Sequence, residues 1–386
     1  MSRQKLSSIM AAFSTASRLD AVNIGLMLVS CAVAFLVPFE LFLFSYAVLG
    51  PLHYLTEISW LHDKNYYTKS RWDAMVLLII GLVLTLTYFN GIYGLGFDLP
   101  DSTFANLVYV AFFGALVMVF VKNRFYRIAG LVLIALSYGL SKHFAVFLTV
   151  FLPTLIHVYV FTGLFMLYGA LKSKSKLGLI SVAVLIICPI LLFTLFPDFK
   201  PFGPTTYGRD AYIGLIPGND ERGPVPVGFI GLNQQTLGMF FGMGPQDGTA
   251  GFEYWLDAVF SSKAGILLMR FIAFAYTYHY LNWFSKTRII QWHKVSKARF
   301  AIVLLFWVAS LGVYFYNYAL GLQWLFFLSF LHVLLEFPLN YVSIAGIGQA
   351  IRSAFSGGGK GGTPIPAGAA TPVPKKGAQP QRAAAR

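Results

Sequence analysis

Seven histidines occur in this 386-residue chain, at 53, 62, 143, 157, 279, 293 and 332. His53, His157, His279 and His332 fall inside long apolar stretches, each on a different one. Counted along the chain these are the second, sixth, eighth and tenth stretches, all running in the same direction across a membrane. The four histidines sit about 13, 13, 15 and 11 residues in from the same side. At 1.5 Å per residue that is roughly 16–23 Å deep. Four imidazoles therefore share one layer. Polar side chains in hydrocarbon are expensive and face the interior of a bundle, so inward-facing rings at one depth converge.

Two of these histidines have an acid one helical turn on: His53 with Glu57, and His332 with Glu336. The i,i+4 spacing puts each pair on one helix face. A metal-bound histidine commonly gives its second ring N–H to a carboxylate, so Glu57 and Glu336 read either as orienting groups or as ligands. Asn282, three residues after His279, shares its face and can orient a ligand or water. Imidazole suits iron, copper or zinc. A histidine-rich site buried in lipid and reached by apolar molecules points first to Fe(II) and oxygen chemistry, and second to zinc hydrolysis. The rival readings are independent polar packing contacts and a proton- or ion-coupled transporter using His–Glu pairs as a relay.

The elements that must carry these residues are membrane helices. The chain is 57% apolar and 11% charged, against roughly 25% charged in a soluble domain, and its mean hydropathy is +0.67. Stretches long enough to span are read near 21–37, 40–60, 73–93, 103–121, 126–141, 144–171, 177–196, 264–284, 299–317 and 321–345. Lys and Arg collect in alternate loops, as at Lys64–Arg71, Lys122–Arg127, Lys172–Lys176 and Lys286–Arg299. The positive-inside rule then places both ends in the cytoplasm. The expectation is an all-α polytopic bundle of about ten helices, N-in and C-in, in a bacterial cytoplasmic membrane. The net charge of +14 is spent on topology and does not call for nucleic acid. The two cysteines, Cys31 and Cys188, read as small packing residues.

The domain organisation follows: a cytoplasmic segment 1–20, helices over 21–196, an extracytoplasmic loop 197–263, helices over 264–345 and a basic tail 356–386. The loop reads as a structured cover or a lid over a site. Its Gly-rich stretches follow no strand and precede no helix, which argues against a phosphate cradle. The tail of Gly, Pro, Ala and basic residues cannot bury a core. Arg270, about two turns outward of His279, is expected to pair with an acid such as Glu40 or to hold a substrate head group. His62 and His293 read as interfacial residues or as parts of a second metal site. Most aromatic residues are expected to face lipid, with some lining a tunnel for a polyene or acyl chain.

The chain lacks the clustered histidine boxes of the membrane desaturases. It resembles instead the bacterial β-carotene 15,15′-dioxygenase (Brp/Blh) family. The resemblance lies in Gly-Pro-Leu-His-Tyr-Leu-Thr-Glu at 50–57, Tyr-Thr-Tyr-His-Tyr-Leu-Asn at 276–282 and Phe-Leu-His-Val-Leu-Leu-Glu at 330–336. It differs in having Glu where the early box has Asp, in a single histidine on the late helix, and in the added 197–263 segment. The resemblance implies a membrane-embedded oxidoreductase in which single histidines on separate helices hold one iron, with His157 completing the set. It also implies a lipophilic, carotenoid-like substrate taken from the bilayer. If His53, His157, His279 and His332 are the ligands, His157→Ala abolishes metal binding, and metal content that survives the change removes His157 from the set.

Overall fold

The computed structural model describes residues 3–137, 142–217, 225–244, 251–286, 291 and 294–355. The expected tail 356–386 and His293 lie outside them. The elements in order are α1 (Arg3–Leu36), α2 (Pro38–Phe44), a π-helical segment (Ser45–Leu49), α3 (Gly50–Asp63) and a 3₁₀ turn (Asn65–Tyr67). Then come α4 (Arg71–Tyr93), α5 (Thr103–Phe120), α6 (Arg124–Leu136), α7 (Lys142–Val146), a second π-helical segment (Phe147–Phe161), α8 (Thr162–Ser173) and α9 (Lys176–Thr194). Beyond α9 lie α10 (Thr206–Ile213), β1 (Leu215–Ile216), β2 (Val225–Pro226), α11 (Ile230–Phe241) and α12 (Phe252–Phe260). The chain closes with α13 (Lys263–Ser285), α14 (Lys297–Tyr316) and α15 (Tyr318–Phe355).

Among the described residues eight helices are long and apolar enough to cross a membrane, and α12 with α13 makes a ninth, bent by 67°. The chain is an all-α integral membrane protein. The expected span 126–141 is shorter than read: α6 has 13 residues, about 20 Å of helix against a hydrocarbon core of roughly 30 Å. Residues 138–141 lie outside the described residues.

Two ends of the bundle are distinct. At one end the basic loops meet: Arg299 reaches Asp63 at 2.8 Å, Arg127 reaches Asp73 at 3.5 Å, and the Ser175 hydroxyl donates to Asp20. The helices rising from this basic end each start on a side-chain cap, Ser70 for α4, Asn123 for α6, Ser175 for α9 and Ser296 for α14. Such caps satisfy backbone N–H groups that the first turn leaves free.

The other end is covered by the described parts of the segment between α9 and α13, residues 197–217, 225–244 and 251–262. It is anchored by Phe202 N–H donating to Leu36 C=O, by Tyr212 hydroxyl donating to Phe39 C=O, and by Tyr207 hydroxyl donating to Tyr314 C=O. This cover carries a two-stranded antiparallel pairing. Gly228 follows β2 and precedes α11, contrary to the expectation that no glycine stretch here would join a strand to a helix. Gly214, at φ +59°, and Gly228 cross so closely that a Cβ on Gly228 would lie 2.1 Å from Tyr212 C=O.

Packing centres on α13, which is buried on nearly every side from Leu267 to Asn282. It packs on α1, α2, α9 and the second π segment. Met27, Phe39, Phe42, Ile272 and Phe274 belong to the core it shares with α1 and α2. A second core, with Leu77, Val108, Met118, Leu334 and Phe337, joins α4, α5 and α15. Ile79, Leu86, Ile186, Ile187, Ile302 and Leu305 are exposed on the outer faces of α4, α9 and α14, as lipid-facing residues must be.

The elbow between α12 and α13 depends on Gly265, where a Cβ would meet Ala258 C=O at 2.1 Å and Val259 C=O at 2.5 Å. Backbone oxygens cannot yield as a side-chain tip can. Gly265→Ala should cost about 1–3 kcal/mol of stability, read as a lowered Tm in detergent. Gly25→Ala, with nothing within 4 Å of the added carbon, should leave Tm unchanged or slightly raised.

Candidate metal centre

The four histidines of the shared layer meet. His53 on α3, His157 on the second π segment, His279 on α13 and His332 on α15 are exposed by 6% or less. Their rings form a closed circuit, with centroids 4.7 Å apart for His53–His279, 4.8 Å for His279–His157, 5.0 Å for His157–His332 and 5.4 Å for His332–His53. The Nε2 atoms face one another: His53 to His279 at 3.0 Å and His157 to His332 at 3.2 Å. Nitrogens held at about 2.1 Å from one ion lie roughly 3.0–3.4 Å apart. Each Nε2 pair has the spacing of two ligands on one ion, and the donor atoms fall into two overlapping groups that share His53.

Local structure aims these side chains. The π segment before α3 shifts the helix by part of a turn ahead of His53, and Pro51, which has no N–H to give the preceding turn, follows directly on it. The second π segment holds Pro153 and turns His157 inward, the kind of local widening that recurs at functional sites. Gly50 leaves room beside the centre: a Cβ there would meet the Tyr54 hydroxyl at 3.0 Å and the Tyr280 hydroxyl at 3.3 Å.

The carboxylates take different positions. Glu57 Oε2 lies 3.0 Å from His53 Nε2, the same nitrogen that faces His279. Glu57 thus points into the centre, and His53, Glu57 and His332 each offer a donor atom within 4.8 Å of the others. His53, His157 and His279 form a second such group. Glu336 does not meet His332, its neighbour on the helix. Its Oε2 lies 2.8 Å from His157 Nδ1, on the far side of that ring. The expected His332–Glu336 pairing is replaced by a contact between helices, because ring and carboxylate on α15 point to different partners across the bundle.

Two carboxylates are buried here with imidazole nitrogens as their partners, Glu57 Oε2 at His53 Nε2 and Glu336 Oε2 at His157 Nδ1. Negative charge out of water is costly, and a cation nearby lowers that cost. Neutral imidazoles with one carboxylate are a donor set that iron, zinc or copper accepts. The His/Glu group can hold a metal ion.

Thr162, which the sequence reading overlooked, places its hydroxyl 2.8 Å from His279 Nδ1. That leaves His279 Nε2 for the centre and fixes the ring plane. Tyr54 stacks on His332, centroids 4.3 Å apart at 27°, and its hydroxyl meets that of Tyr280 at 3.1 Å. No motif signals Thr162, since it approaches His279 from another helix. Asn282 is buried, but its Oδ1 has no hydrogen-bond partner, so no hydrogen bond ties that oxygen to the histidines.

Beside the centre lies a cavity of about 360 Å³, lined by His157, His279 and His332 at its floor and by Tyr46, Tyr88, Tyr276, Tyr280 and Phe326 along its wall. Val227, Gly228, Phe229 and Leu232 of the cover close it. Tyr276, Tyr278 and Tyr280 are 4% exposed or less. These aromatics belong to the interior and, for Tyr276 and Tyr280, to the cavity wall, rather than to a lipid-facing belt.

Other sequence-based expectations are corrected. Arg270 is fully buried and donates from Nη2 to Phe199 C=O at 2.7 Å, with its guanidinium 4.1 Å above the Phe35 ring. It does not pair with Glu40, which accepts from the Thr205 N–H at 2.7 Å and the Thr205 hydroxyl at 2.9 Å at the start of α10. His62, by contrast, fits its interfacial reading: it is exposed beside Tyr66, 3.2 Å from that hydroxyl, and joins no metal-ligating group among the described residues.

Removing a group that orients a ligand typically weakens metal binding 10–100-fold. Thr162→Ala and Glu336→Gln should each do so by about that factor, as read by competition with a chelator. Unchanged affinity in Glu336→Gln would show that the His157 contact has no bearing on the metal. Comparison with protein-family models, with curated proteins and with solved structures gives no match, and the functional reading rests on the geometry of the site.

Proposed function

We propose that this chain is a membrane metalloenzyme, a non-haem iron oxygenase acting on a lipophilic substrate of the carotenoid or lipid class. The observation that carries the reading is the closed circuit of four buried imidazoles with inward Nε2 atoms and the Glu57 carboxylate among them. Escape from hydrocarbon alone would gather polar rings in the interior, but it does not require their Nε2 atoms to face one another beside a carboxylate. The chain is read with both ends in the cytoplasm, so that the Pro197–Ser262 cover faces outward.

His53, His157, His279 and His332 would hold the ion, with Glu57 as a further donor. Ferrous iron bound there supplies the activation of dioxygen. Glu336 and Thr162 hold the His157 and His279 rings through their Nδ1 atoms. The aromatic wall of the cavity receives an apolar chain by stacking and burial. The Tyr54 and Tyr280 hydroxyls, paired at the edge of the centre, can hold a proton or a polar end of the bound molecule. The cover excludes bulk water from reactive species.

Metal analysis of the purified protein tests the proposal. One iron per chain supports it. Stoichiometric zinc moves the reading to an intramembrane hydrolase at the same residues. A chain that binds no metal overturns both and favours a transporter. Leu322→Trp, which fills the cavity without touching a ligand, should lower oxidation of a carotenoid by about tenfold or more with metal content unchanged. Full activity in that variant would move the substrate elsewhere.

A further inference from the structure

The cavity approaches the histidines from the covered end. On the opposite side, toward the basic loops, α15 and α3 present buried polar atoms with no hydrogen-bond partner. On α15, Glu336, Asn340 and Ser343 follow at helical spacing and are exposed by 2%, 2% and 1%. Asn340 Oδ1 and Nδ2 and Ser343 Oγ are unpartnered, while Glu336 Oε2 above them meets His157 Nδ1. From α3, which packs on α15, comes Trp60 Nε1, also unpartnered.

Several hydroxyls elsewhere in the bundle find a partner on their own helix, although Ser30 Oγ on α1 and the Tyr314 hydroxyl do not. Thr56, Thr85 and Ser310 each donate to the carbonyl one turn back, on Leu52, Gly81 and Phe306. Ser343 does not, and the Asn340 amide has two unsatisfied ends. In a membrane interior such atoms need partners within the protein or in water. Residues one turn apart on a helix face are separated by about 5–6 Å, a gap that one water spans with two ordinary hydrogen bonds. Buried waters sit where two to four polar groups converge. One turn beyond Ser343, past buried Ile347, the helix is exposed at Gly348 and Gln349.

We propose that Asn340, Ser343, Trp60 and Glu336 line a water-filled passage between α3 and α15, leading from the basic end of the bundle to the underside of the His/Glu group. The centre then has two approaches of opposite polarity, an aromatic cavity for the apolar molecule and a narrow polar passage for water. The passage stands on the unpartnered atoms alone; a role for its water in the reaction rests on the metalloenzyme reading.

Single cysteines test it. In a Cys31→Ala, Cys188→Ala background, Asn340→Cys and Ser343→Cys are compared with Leu335→Cys, a buried apolar position on the same helix. Sealed vesicles receive silver ion, which moves through water and not through hydrocarbon, from the side bearing the basic loops. The thiols left free are then counted. Cysteines at 340 and 343 should be lost about tenfold faster or more than the one at 335. Rates equal to that of Leu335→Cys would overturn the passage. Ser343→Cys is close to isosteric, so it decides the matter alone if Asn340→Cys does not fold. Metal content is measured on the same background: fast cysteines in a chain that binds no metal would uphold the passage and overturn the metalloenzyme reading instead.

Discussion

The architecture turns on the cost of placing imidazole and carboxylate in the hydrocarbon interior. That cost is met only if the polar groups turn to one another, and here four helices bring them to one point. His53, His157, His279 and His332 close a ring of contacts between elements distant in the chain. Because α3, α13 and α15 and the π segment around His157 must all present their rings at the same depth, their register is tied. A shift of one turn in any of them, about 5.4 Å, would leave three imidazoles facing a gap and the fourth at a different depth.

The surrounding irregularities follow from that demand. Regular helices packed by small residues alone would not aim His53 and His157 at a common centre. The chain departs from α-helix just before the first and around the second, and places Pro51 and Pro153 there. Gly50 leaves space for the hydroxyls of Tyr54 and Tyr280, and Gly228 lets the cover lie flat over Tyr212. The cover itself is held by bonds to α1, α2 and α14 near its start and by Val227 N–H to Gly214 C=O across the crossing. The outer wall of the cavity is therefore a built surface.

Much of this was legible in the sequence because depth in a membrane is nearly a one-dimensional quantity. Residue counts from the ends of apolar runs place four histidines in one layer, and the layer is where they meet. Partners across helices were not legible. Glu336 shares a face with His332 but reaches His157, and Thr162 reaches His279 from the start of α8. Sequence spacing reports neighbours along a helix, whereas helix rotation and crossing decide neighbours between helices. The same gap explains Arg270, whose partner is a backbone carbonyl of Phe199 rather than Glu40. It also bears on the tyrosines of α13: sequence leaves open which aromatics face lipid and which line a tunnel, and the central position of the helix puts these three inside. The fifth stretch, short already in the sequence, is shorter still as a helix: α6 ends at Leu136, before Ser137.

The central claim is that imidazole nitrogens from these four helices share one ion. X-ray absorption at the metal edge of the purified protein tests it most directly. The account predicts a first shell of nitrogen and oxygen at about 2.0–2.2 Å with the outer-ring scattering of three or four imidazoles, a signal that falls in whatever metal His332→Ala retains. A bound metal whose shell holds no imidazole, or one whose spectrum is unchanged in that variant, would contradict it.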